Sequence, residues 1–254
     1  MEPDWTASYY EALEFFSREP QHIGCKTHAG DEIETLAKVT QHLHHIEATL
    51  DQNLRQFFLL APTLLRNELF ASLFTRRFSH PLTLLSSSVE SEFTLEVAMQ
   101  PDLLFVSDIE AVVMAITLER TWSLTQVLEY ALMTLALELH LGAPRRHCLA
   151  LVGAGDFPSQ WKGQYASVTE LKIALDNEDP ALFLRTRADR LRKHEDRFME
   201  IVASLDMAFL SFADFATSLR EAAPSDTDVS PGAEVYRNLI AGILAEFDRR
   251  RLVE

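Results

Sequence analysis

The chain has 254 residues, 47% hydrophobic and 24% charged, with a formal net charge of −15. It holds enough apolar residues for a sizeable core, and a surface this acidic repels a phosphate backbone at long range. That counts against tight nonspecific nucleic-acid binding while leaving room for a locally basic cleft. The two cysteines, Cys25 and Cys148, form neither a CxxC pair nor a zinc framework.

The N-terminus, MEPDWTASYYEALEFF, is acidic and lacks the basic-then-apolar order of a signal peptide. No uninterrupted apolar run approaches the ~20 residues of a membrane span. A cytoplasmic protein with no membrane association is expected. Residues 4–19 suit a short helix, and QHIGCKTHAGD interrupts it. Asp31 is then a good N-cap with Glu34 three residues on, and Ile33, Leu36, Val39, Leu43, Ile46, Leu50 and Leu54 recur at intervals of three and four. That pattern marks one face of a long helix, which Pro62 disturbs. TLLRNELFASLFTRRF is the next predicted helix, closed by Pro81 and the serines 86–88.

The period then changes. In EFTLEVAMQPDLLF, Phe93, Leu95, Val97, Met99, Leu103 and Phe105 alternate with Glu92, Thr94, Glu96, Gln100 and Asp102. Period two over more than ten residues predicts a strand, bent or broken near Gln100-Pro101. After the turn SDIE, Val112, Met114, Ile116 and Leu118 alternate with Ala111, Ala115, Thr117 and Glu119, which predicts a second strand. A helix is expected from about Ser123 to Leu141, ended by Gly142 and Pro144. HCLALVGAG suits a buried strand. SVTELKIAL begins a helical region, and the stretch from Asp179 to Ala222 reads as one or two further helices. After the polar linker APSDTDVSPG, AEVYRNLIAGILAEFDRRR makes a last helix, basic at its C-terminal end.

The two strands can be paired from the sequence alone. If residues 107–110 form a four-residue hairpin loop, Val106 pairs with Ala111, and Asp102 falls opposite Ala115. Side-chain alternation then puts Asp102, Ala115 and Thr117 on one face, the less apolar one.

This order resembles the PD-(D/E)XK nuclease superfamily, in its RecB-like branch. The resemblance rests on VESEFTLEVAMQPDLLF, on the hairpin partner after it, and on Gln126 and Tyr130 in QVLEY, which match that branch's Gln-x-x-x-Tyr. It covers roughly residues 60–175. It implies an α/β fold with a restriction-endonuclease-like mixed sheet flanked by helices. A helical N-terminal extension 1–59 and a helical C-terminal part 176–254 complete a single domain. In that family two carboxylates hold Mg²⁺ and a lysine helps activate the attacking water, an arrangement suited to a hard cation beside a scissile phosphate. Here the (D/E)-x-K positions are Ala115-Ile116-Thr117. Alanine cannot ligate a metal and threonine cannot supply an ammonium.

The site implied by the resemblance is therefore a vestigial cleft of Asp102, Gln126, Tyr130 and the upstream Glu68, with Asp102 as a weak Mg²⁺ ligand if any activity survives. Glu119 lies ~13 Å along the strand from Ala115, Glu96 is farther from Asp102, and Glu129 serves only if it faces the sheet. The expectation is a catalytically inactive protein with a binding or scaffold role and no cofactor. The alternative is a divergent Mg²⁺-dependent nuclease, acting on DNA or RNA, whose catalytic residues have migrated. A protein partner is expected over nucleic acid, with a homo-oligomer an open option.

Other signals are weaker. His42, His45 and Glu47 in QHLHHIE read as a solvated polar face before a metal site. LRTRADRLRKHEDR is the most basic stretch of the chain, either an ion-paired helix or a contact for phosphate or an acidic partner. LVGAGDFPSQWKG lacks both GxGxxG and the P-loop ending.

Overall fold

The structure, a computed structural model, describes residues 47–85, 102–118, 121–225 and 227–253. The expected helices in residues 4–19 and 31–46, the histidine cluster, and the expected strand before Pro101 lie outside these. The chain divides into two compact units, one of Thr63–Ser211 and one of Met1–Pro62 with Phe212–Glu254.

In the first unit, helix α2 (Thr63–Leu73) precedes β1 (Thr83–Leu84), β2 (Leu103–Val106) and β3 (Glu110–Thr117). Helix α3 (Leu124–Leu141) leads to β4 (Arg146–Gly153), and the short α4 (Phe157–Gln160) and α5 (Val168–Asp176) follow. Then come α6 (Pro180–Arg187), a 3₁₀ turn (Asp189–His194), α7 (Glu195–Ser204) and β5 (Asp206–Ser211). The five strands form one sheet in the order β1-β2-β3-β4-β5. The first two pairings are antiparallel, while β3–β4 and β4–β5 are parallel. This is a mixed α/β architecture, as the sequence indicates.

The hairpin register agrees with the sequence-derived one. Val106 pairs with Ala111 and Leu103 with Met114, which brings Asp102 to the position opposite Ala115. Helix α3 also forms where expected. Ser123 caps it, and Gly142 closes it in the left-handed conformation at φ 71°, where a side chain would be strained.

One segment within the predicted helical stretch differs. Residues 206–211, DMAFLS, form β5, and the sheet extends well past residue 175. Between the two helices the stretch has no Gly or Pro to mark a break, so helical periodicity seemed continuous. What makes it a strand is the unfilled edge of β4, where Cys148 pairs with Asp206 and Gly153 with Ser211. Tertiary pairing overrides local propensity at such a short apolar run.

The face of the sheet carrying Leu104, Val113, Ala115, Leu149, Leu151 and Met207 packs with Val127, Ala131 and Leu135 of α3 and with Phe198 and Ile201 of α7. On the opposite face Phe70 of α2 meets Phe105 edge-on at 4.9 Å.

Two polar hubs sit at the N-terminal end of the parallel strands. On the α2 side the Arg76 guanidinium lies 4.3 Å from the Phe78 ring centroid and joins three strands. It donates to Glu110 of β3, to Cys148 Sγ of β4 at 2.8 Å and to Asp206 Oδ2 of β5 at 3.2 Å. Burial pushes the Cys148 thiol up to about 11, the nearby Arg76 cation offsetting only part of the rise.

On the α3 side Glu138 is buried. Its Oε1 accepts from His147 Nε2 at 2.7 Å, Arg197 Nη2 at 2.6 Å and the Arg145 N–H at 2.7 Å, and its Oε2 accepts from Arg197 Nε at 2.8 Å. Burial alone would raise this carboxyl. The Arg197 fork, the His147 ring and the Arg145 amide outweigh it and hold the group at about 2.

The described part of the second unit is α1 (Glu47–Leu60), α8 (Phe212–Glu221) and α9 (Pro231–Arg249). Leu50, Leu54, Phe57 and Phe58 form the buried stripe of α1. Phe58 stacks on Phe215 at 6.2 Å, and Phe247 of α9 meets both Phe212 and Phe215. Glu246, fully buried in α9, pairs with Arg249 in the last turn and with Arg250 just past it.

Removing the Glu138 carboxylate strands the cations gathered around it. Glu138→Ala is expected to cost ~3–5 kcal/mol at neutral pH, read by urea unfolding. Because the folded-state pKa of Glu138 is depressed, its stabilisation is full above the unfolded value near 4.5 and is lost as pH falls towards about 2. The gap between wild type and Glu138→Gln should therefore shrink over that acidic window; a constant gap would remove the carboxylate from this role.

Candidate functional site

Of the residues singled out by sequence, Asp102, Ala115 and Thr117 lie at the carboxyl end of β3, and Ala115 shares an apolar cluster with Tyr130 of α3. The chain at Asp102 bends into β2, and its carboxylate turns to the neighbouring strand, where Oδ2 accepts the backbone N–H of Ile116 at 2.6 Å. The acid thus takes the place of a ladder partner just where β2–β3 pairing ends.

Ala115, across from it, is fully buried, and Thr117 is 4% exposed. All eight residues of β3 are buried, because the strand is central in the sheet and covered on both faces. Ala115 belongs to the same apolar cluster as Val127, Tyr130 and Ala131.

Gln126 has a local task. It is the third residue of α3, and its Oε1 accepts from the Ser123 N–H at 2.9 Å and the Ser123 hydroxyl at 3.0 Å. The Ser123 hydroxyl in turn accepts from the Gln126 N–H, completing a capping box. The S-x-x-Q spacing was visible in the sequence but had been absorbed into Gln-x-x-x-Tyr. Tyr130 is buried and packs edge-on to Trp122 at 6.4 Å. Glu68 is not brought to this end. It is exposed on α2, whose buried residues Leu69 and Phe70 face the other side of the sheet. Glu129 is partly exposed on α3 and lies 3.9 Å from Arg187. Glu96 and Glu119 fall outside the described residues.

Residues that sequence reading passed over close this end. Thr117, Gly153 and Ser211 form a row across β3, β4 and β5. A Cβ on Gly153 would come within 2.9 Å of the end of the Gln160 side chain, so an added methyl group would require that side chain to shift. The Gln160 side-chain amide donates to the Ala154 carbonyl, and the Gln160 backbone carbonyl accepts from the Trp122 backbone N–H at 2.9 Å. Trp161 is 1% exposed, against Phe157 and Tyr165. Gln160 Oε1 and the indole nitrogens of Trp122 and Trp161 are buried with no hydrogen-bond partner among the described residues. LVGAGDFPSQWKG, dismissed as a nucleotide loop, is therefore a packed plug. The signal available was its two aromatic residues around a glutamine.

Two carboxylates with a lysine are not assembled here by the described residues. Asp102 is the one described carboxylate at this position, and its Oδ2 already accepts a backbone N–H. No group of three His, Cys, Asp or Glu side chains capable of holding a metal occurs among the described residues. This donor set does not fit Mg²⁺, which needs several hard oxygen ligands. No helix among the described residues is long and apolar enough to cross a membrane. The chain matches no family model, no curated protein and no solved structure.

Two substitutions probe this packing. Asp102→Ala leaves the Ile116 N–H unpaired and is expected to cost ~1–3 kcal/mol in urea unfolding. Gly153→Ala is expected to cost a comparable ~1–3 kcal/mol through overpacking, and most of that should return when Gln160→Ala is added. Simple additivity of the second pair would place the Gln160 side chain away from Gly153.

Proposed function

We propose that this chain carries a PD-(D/E)XK-like core whose active site is dismantled, and that it works as a binding or scaffold protein. The observation carrying this reading is at the hairpin. Asp102 sits opposite Ala115, and its carboxylate is spent on the Ile116 N–H where a nuclease would need it on a metal. Support for the family comes from the order of elements. Helix α2, the β2–β3 hairpin, helix α3 and β4 parallel to β3 follow one another as that core would have them, while the lead-in strand before Pro101 lies outside the described residues. The buried state of positions 115 and 117 supports the loss of catalysis. A carboxylate and an ammonium placed there would enter an apolar interior at a cost of several kcal/mol. A protein partner suits the acidic surface better than a polyanion does.

The test is cleavage of single- and double-stranded DNA and RNA with Mg²⁺ and with Mn²⁺, alongside calorimetric titration of Mg²⁺. The expected result is no cleavage, no metal binding above background, and no difference between wild type and Asp102→Ala. Cleavage that disappears in Asp102→Ala would replace this reading with that of a nuclease whose second acid lies elsewhere in the chain.

A further inference from the structure

We draw no further inference here: the strongest candidate, the side-chain cluster of Trp122, Gln160 and Trp161 at the carboxyl ends of β3 and β4, holds three buried polar atoms with no hydrogen-bond partner among the described residues, but nothing in the structure shows that these atoms face one cavity or what would fill it.

Discussion

Burial of β3 on both faces constrains what the rest of the first unit can be. The strand pairs antiparallel to β2 on one side and parallel to β4 on the other, and each of its eight side chains is enclosed. A strand in that position must be close to continuously apolar, since an unpaired charge inside costs more than one hydrogen bond returns. Ala115 and Thr117 satisfy this, and a metal ligand and a lysine would not.

Several polar groups that enter this unit are gathered into hydrogen-bonded hubs. Glu138 serves four donor contacts from a ring, a guanidinium and an amide, and so ties α3, β4 and α7 at one end of the sheet. Arg76 does the same for β3, β4 and β5 on the other face. Such groups stabilise by being satisfied together, and the loss of one member is costly because the others stay buried. Asp102 belongs to the same class. Its carboxylate completes the backbone of β3, which is a structural use of an acid that resembles a catalytic one in sequence.

Much of the local structure was legible in the chain. The four-residue turn fixed the pairing of Val106 with Ala111, because a period of two allows only one register that keeps the apolar residues together. Ser123 and Gly142 marked the ends of α3 through chemistry that is local by nature, a side-chain cap and a left-handed closing residue. The strand at Asp206–Ser211 was not legible, since its alternation spans six residues between two helices and only the edge of β4 makes it a strand. The tasks of Gln126 and Gln160 were hidden for the opposite reasons. One bonds three residues away and was assigned a distant role, and the other fills space over a glycine seven residues before it.

By itself the sequence determined the alternation of strands and helices, the hairpin register and the absence of an acid and a lysine at positions 115 and 117, because these depend on side-chain identity and short-range periodicity. The tertiary structure decided that both of those positions are buried, that Asp102 spends its carboxylate on Ile116, and that Glu68 lies away from them. It also paired Arg185 with Glu195 and Arg197 with Glu138. Those outcomes depend on which surfaces meet, and burial and long-range pairing are properties of the packed chain that no local pattern encodes.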